Sequence, residues 1–146
     1  MIYYLAHSDF ILKQSRADIV KALDKRFKIT SISPLQENSE EITNTYHESI
    51  LWNTDRKIHF DIAGVIKLRK IISRIEKNDT LHIFTIKSLY MYIFASIFFK
   101  KNFKVIVSIT GLGYLFANSL LAKIIRVLSR YLIIFSINKN VDLIIF

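Results

Sequence analysis

The sequence contains no cysteine, one proline and three glycines among its 146 residues. The absence of cysteine excludes disulfide bonds, zinc–thiolate sites and cysteine nucleophiles. The scarcity of glycine and proline argues against an all-β sandwich or barrel, because such folds need many tight turns. Apolar residues make up 51% of the chain, which is enough for a substantial core and too much for an intrinsically disordered protein. We therefore expect residues 1–146 to form a single folded domain.

Acidic residues are also few: 12 Asp and Glu stand against 21 Lys and Arg, which gives a formal net charge of +9. A basic balance favours anionic partners, namely nucleic acid, phosphate-bearing ligands or an acidic membrane surface. The mean hydropathy of +0.29 is high for so basic a chain and favours a membrane surface over nucleic acid. An ordinary solvated basic surface is the alternative interpretation.

The apolar segments are not typical of a secretory signal or of membrane spans. Residues 1–6 are apolar, but they lack a basic start and a polar segment follows them at once. Residues 88–99 are uncharged and too short to cross a bilayer. Residues 105–122 are uncharged and of borderline length, but Gly111, Gly113 and a potential helix cap interrupt them. We interpret this last segment as a buried strand, a glycine turn and the start of a helix.

Short apolar, β-branched runs alternate with segments of helical periodicity along the chain. This rhythm implies a parallel sheet covered on both sides, so we predict a doubly wound, mostly parallel Rossmann-like α/β domain with helices on both faces. Asp61 is a plausible N-cap of one helix. The polar segment 35–45 is expected to be irregular. Strands are predicted at 2–6, 27–33, 49–52, 80–84, 103–109 and 142–146, and helices at 15–26, 61–77, 88–100 and 119–136.

The last predicted helix has a basic face. At about 100° per residue, Lys123, Arg126 and Arg130 lie together, and Ile133 and Ile134 flank them. A cationic face bordered by aliphatic side chains suits a helix that rests on anionic lipid headgroups. A solvated outer face is the alternative.

Polar residues follow several predicted strands at the point where each strand ends. Ligands of open α/β sheets bind outside the carboxyl ends of the strands, so these residues are candidates for a site. The histidines show no metal-ligand spacing, and neither a P-loop nor a complete dinucleotide fingerprint is present, so we expect no metal and no cofactor. Loop chemistry common to any α/β fold is the alternative. The candidates are His7, Ser8, Asp9, Thr85, Lys87 and the segment Thr110–Tyr114, which includes Gly111, Gly113 and Tyr114.

Four segments of the sequence resemble the motifs of a known protein family, and they occur in the same order and with the same spacing as in that family. They are Ser8-Asp9-Phe10 continuing through Arg16 to Lys21-Ala22-Leu23, then Phe84–Lys87, Thr110–Phe116 and Val141–Phe146. Together they resemble the N-terminal domain of bacterial family 4 glycosyltransferases, which are two-domain retaining enzymes of the GT-B type. In the first segment the family has S-D-W/F, H-R and K-A-L. In the other three it has F/H-T-I-K-P, T-G-L-G-Y-x-F and A-D-x-V-I-F, in that order. Ser15 and Ser88 stand here where the family has histidine and proline.

The resemblance implies one half of a GT-B fold and a role in the synthesis of surface polysaccharide or lipid-linked sugars. The reaction would transfer a sugar from a nucleotide-sugar donor to a lipid-diphosphate-linked or glycan acceptor. Arg16 and Lys87 are then expected to bind anionic groups, and Asp9 to orient or deprotonate an acceptor hydroxyl. Gly111 and Gly113 would shape the loop that faces the donor-binding domain. The remaining candidates for the acceptor site are Ser8, Thr85 and Tyr114.

The donor-binding domain of the family has no counterpart within these residues, so the donor site is expected on a missing domain or a partner chain. The isolated chain is then expected to be inactive. The alternatives are a non-catalytic truncated remnant, or a membrane-docked subunit that needs a separate donor-binding chain. A basic membrane-surface protein unrelated to sugars is a third. We expect a cytoplasmic location, which includes the possibility of peripheral binding to the cytoplasmic face of the inner membrane. We expect no nucleic-acid partner.

Overall fold

The computed structural model describes residues 1–34, 39–54, 61–97, 100–109 and 141–145, together with Val127, Arg130, Tyr131 and Ile134. Within these residues, six strands form one sheet in which every neighbouring pair is parallel. The strand order is β3-β2-β1-β4-β5-β6, so the order reverses between β1 and β4. The strands are β1 (Ile2–Ala6), β2 (Ile29–Ser33), β3 (Glu48–Leu51), β4 (Thr80–Phe84), β5 (Lys104–Ser108) and β6 (Leu143–Ile145).

Helices cover both faces of this sheet. One face carries the first two helices, and the other carries the next two. The doubly wound Rossmann-like α/β fold predicted from the sequence is therefore confirmed. The described helices are α1 (Asp9–Leu23), α2 (Ser39–Thr45), α3 (Ile62–Ile72) and α4 (Ile86–Ser96). None of the helices in the described part of the chain is both long enough and apolar enough to cross a membrane.

The face under α1 and α2 has the smaller core. Leu12 and Val20 of α1 are buried against Tyr4 and Phe84 of the sheet. The hydroxyl of Tyr46 donates to the backbone carbonyl of Leu12 at 3.2 Å and so ties the end of α2 to α1. Burial of that hydroxyl raises the pKa of Tyr46 well above its usual value, because the charged form would lose its solvation.

The face under α3 and α4 has the larger core, with strand residues such as Leu81 and Ile83 buried against both helices. Gly64 brings α3 and α4 together. A Cβ atom at this position would lie 3.0 Å from Cε of Met91 in α4 and 2.7 Å from Oδ2 of Asp61. The absence of a side chain at Gly64 therefore allows the two helices to approach closely.

Several boundaries differ from the sequence-based expectation. The first helix begins at Asp9, six residues before its predicted start, and the segment predicted to be irregular contains α2. The predicted N-cap is confirmed, because Oδ1 of Asp61 accepts a hydrogen bond from the backbone N–H of Gly64 at 3.0 Å. That helix ends at Ile72, five residues earlier than predicted. Most of the predicted helix 119–136 lies outside the described residues.

Candidate functional site

Polar side chains meet where the strand order reverses. Ala6 and Phe84 end the neighbouring strands β1 and β4 and pair in register, so the residues that follow them are adjacent. Nδ1 of His7 lies 2.8 Å from Oγ1 of Thr85, and that oxygen lies 3.2 Å from Oγ of Ser88. We call His7, Thr85 and Ser88 the switch cluster. It occupies the position at which open α/β sheets bind their ligands.

The backbone of Thr85 adopts a conformation that residues other than glycine rarely adopt. Its φ is 77° and its ψ is 154°, and no other non-glycine residue in the described part of the chain has a positive φ. Such a conformation costs on the order of 1–3 kcal/mol and persists only where the surroundings hold it. Here the N–H of Thr85 donates to the carbonyl of Ser108, and its own carbonyl accepts from the N–H of Leu89. Both of its backbone groups are therefore fixed beside the switch cluster.

Thr85 is also the N-cap of α4, and its side chain makes no capping hydrogen bond because it points to His7 and Ser88. Lys87 lies in the first turn of the same helix and is half-buried. The N-terminus of a helix carries a partial positive charge, so the lysine adds to a potential that favours anions. An anion-binding role for Lys87 stays a prediction.

Ser8 and Asp9 lie at the start of α1. Ser8 is the N-cap and is buried, without a capping hydrogen bond from its side chain. Asp9 is fully buried, and its Oδ1 accepts from the backbone N–H of Phe10 at 2.9 Å. A carboxylate at this position stabilises the helix through the dipole. A role for Asp9 on an acceptor hydroxyl stays a prediction.

Arg16 belongs to α1, which covers the face of the sheet opposite to α4, the helix of Lys87. Its guanidinium carbon stands 4.5 Å from the centre of the Phe84 ring, within the range of a cation–π contact. The side chain also lines a cavity of about 300 Å³ beside β4, β5 and β6. We call it the Arg16 cavity. The described residues that line it are Tyr4, Arg16, Ile19, His82, Ser108, Ile109 and Ile145.

His82 is a functional candidate that the sequence did not single out. Nε2 of His82 lies 2.8 Å from Oγ of Ser108 in the Arg16 cavity. Burial, and to a smaller extent the positive charge of Arg16, together lower the pKa of His82 to about 4. The imidazole is therefore neutral at pH 7. The available signal was one histidine inside the otherwise apolar strand TLHIF.

The remaining predicted residues are only partly covered. Gly111, Gly113 and Tyr114 lie outside the described residues, as do Lys123, Arg126 and Ile133. Arg130 and Ile134 are described, and both have helical backbone and exposed side chains. In the described part of the chain, no group of three His, Cys, Asp or Glu residues is placed to hold a metal ion.

These features define a Rossmann-like α/β domain with a polar cluster at the switch point of its sheet. The sequence matches the family described as glycosyl transferase 4-like over residues 2–146. The chain belongs to this family and is a glycosyltransferase-like protein, and the resemblance found in its motifs is confirmed. Its sheet and helices agree with one half of a GT-B fold. No curated protein matches the sequence.

Proposed function

We propose that this domain forms the acceptor side of a sugar-transfer site in the synthesis of surface polysaccharide or lipid-linked sugars. The observation that carries the proposal is the switch cluster, which joins the carboxyl ends of β1 and β4 in a chain of the glycosyl transferase 4-like family. Polar side chains held in this way can fix the orientation of an acceptor without moving during the reaction.

Lys87 supplies the positive charge at this edge of the sheet in our proposal. An acceptor that carries a diphosphate group would place that group against the lysine and the first turn of α4. Thr85 and His7 would then hold the polar part of the acceptor. In this proposal, the wall that binds the nucleotide-sugar donor belongs to another domain, in the same polypeptide or in a partner chain.

Replacing Lys87 with Gln is expected to slow sugar transfer by at least about tenfold, because a charge-assisted hydrogen bond is worth roughly 1.5–3 kcal/mol. Thr85→Val keeps the shape of the side chain, removes the hydroxyl of the switch cluster and should also slow transfer. The assay follows labelled sugar passing from nucleotide donors to lipid-diphosphate acceptors. It is run with this chain alone and together with a donor-binding domain.

The matched controls are Lys70→Gln on α3 and Thr43→Val on α2, both at exposed positions. We expect both controls to transfer sugar at the unchanged rate. Rates that fall equally in test and control variants would contradict the assignment of the site. Acceptor binding without transfer under any pairing would favour a non-catalytic remnant or a docking subunit instead.

We further propose that the protein binds peripherally to an anionic membrane on the cytoplasmic side. The supporting residues are Val127, Arg130, Tyr131 and Ile134, which are all exposed and have helical backbone. Their spacing of three, four and seven residues is that of one helix face. A face that combines aliphatic side chains, a tyrosine and an arginine suits the boundary between headgroups and acyl chains.

A triple change of Lys123, Arg126 and Arg130 to Gln is expected to weaken binding to anionic vesicles by about 1 kcal/mol per charge. Binding is measured by co-sedimentation with vesicles that contain phosphatidylglycerol, at low and high salt. The control is a triple change to Gln at Lys25, Arg26 and Lys28, which are exposed and carry the same total charge. Equal weakening by both triples would mean that net charge alone drives binding and would contradict a specific face.

A further inference from the structure

The Arg16 cavity combines features that a small-molecule site requires. Its volume of about 300 Å³ is at the lower end of the range for ligand pockets, roughly 300–1,000 Å³. The described lining residues carry one positive charge, on Arg16, and no negative charge. The neutral imidazole of His82 and the hydroxyl of Ser108 are hydrogen-bonded to each other within it.

The rest of the described lining is apolar. Ile19 of α1 lies on one side, and Ile109 and Ile145 lie beside the ends of β5 and β6. Ile19 is 44% exposed and Ile145 is 46% exposed, so the aliphatic wall continues from the cavity to the protein surface. A ligand that fits must therefore present an anionic group to Arg16 and an aliphatic group to these side chains.

We propose that the Arg16 cavity binds an aliphatic organic anion, in which a phosphate or carboxylate group is attached to an alkyl chain. The guanidinium binds the anionic group by paired N–H donors, and its position over the Phe84 ring keeps it facing the cavity. The isoleucines contact the alkyl chain. The cavity adjoins the switch cluster, because Ser108 lines it and the carbonyl of Ser108 accepts from the N–H of Thr85. Binding is measured without any sugar donor or acceptor, so this proposal can fail independently of the proposed function.

The first test measures binding of octyl phosphate and octanoate, below their micelle concentrations, by titration calorimetry on the intact protein. Octyl phosphate should bind at least about tenfold more tightly than inorganic phosphate, octanol or octyltrimethylammonium, because only the alkyl anions meet both parts of the site. A preference of octyl phosphate over octanoate, or the reverse, identifies the anionic group. Binding of octyltrimethylammonium as tight as that of octyl phosphate, or no binding of either alkyl anion, overturns the proposal.

The second test uses substitutions at a position that tolerates change. Ile19 is partly exposed, so Ile19→Gln and Ile19→Glu should both fold, and they differ in charge alone. We expect Ile19→Glu to bind octyl phosphate about tenfold more weakly than Ile19→Gln, since its carboxylate repels the anion and pairs with Arg16. Arg16→Gln should weaken binding at least as much, whereas Lys21→Gln, an exposed charge on the same helix, should not. Equal binding by the two Ile19 variants overturns the proposal.

The pKa of His82 reports directly on whether a ligand occupies the Arg16 cavity. A bound anion neutralises the field of Arg16, so saturation with octyl phosphate should raise the pKa of His82 from about 4. The titration of its ring protons by NMR measures this change. Arg16→Gln without ligand should also raise the pKa, because it removes the same positive charge. An unchanged pKa of His82 at saturating octyl phosphate places the ligand elsewhere and overturns the proposal.

Discussion

Replacing Trp52 with Ala should lower the free energy of unfolding by about 3–5 kcal/mol, the range for truncation of a fully buried aromatic side chain. Trp52 follows β3, has no exposed surface and belongs to the core beneath α3 and α4. Its Nε1 donates to the backbone carbonyl of Gly64 at 2.9 Å. The substitution thus removes both apolar contacts and the bond that holds α3 to the end of β3. Domains of this size are stable by about 5–15 kcal/mol, so the loss is a large share of the total.

Urea unfolding followed by circular dichroism measures this loss. Trp52→Phe separates its two causes, because it keeps much of the ring volume and removes the indole donor, while the carbonyl of Gly64 stays within the backbone hydrogen bonding of α3. We expect Phe to cost less than Ala, with the lost hydrogen bond contributing about 0.5–1.5 kcal/mol. A comparison is Ile66→Ala on the exposed side of α3, which should change stability little. A cost for Trp52→Ala as small as that of Ile66→Ala would show that the core does not depend on Trp52.

The alternation of strands and helices was predictable because buried parallel strands are short, apolar and β-branched. The segments at Ile2–Ala6 and Thr80–Phe84 have this pattern, and the structure has strands at those bounds. The start of α1 was harder to predict, because only His7 and Ser8 separate it from β1 and its first residues show no clear helical period. Helix α2 is short and polar, so it has too few apolar residues to show a helical period.

Part of the candidate site was also predictable from the sequence, and part was not. Residues that follow a strand are identifiable from the sequence, because a parallel sheet brings them to one edge, and Thr85 and Lys87 were found for this reason. The contacts of Thr85 could not be predicted in this way, because they form only in the folded chain. His7 lies 78 residues away in the sequence, and Ser88 stood out only because the related family has proline there. His82 lies within a strand, where periodicity indicates burial but does not reveal a neighbouring cation. The Arg16 cavity requires four strands and a helix, so no local pattern predicts it.

The stability of the protein should fall as the pH drops from about 6.5 to about 4, and His82 should account for a measurable part of that fall. Burial, and then the charge of Arg16, lower the pKa of His82 from 6.5 to about 4 in the folded state. The unfolded chain takes up a proton near pH 6.5, whereas the folded protein resists it until about pH 4, so acid favours unfolding across this interval. Above it both states are neutral, and below it both are charged, so the contribution changes no further.

The full difference in pKa corresponds to roughly 3 kcal/mol, and partial access of solvent to the ring reduces it to about 1–2 kcal/mol. Urea unfolding at several pH values between 7 and 4 measures the slope. His82→Gln cannot be protonated and can still hydrogen-bond Ser108, so the variant should lose this part of the slope while other acid-sensitive groups keep theirs. If His82→Gln and the unmodified protein lose stability in parallel down to pH 4, the imidazole is not held neutral by its burial beside Arg16.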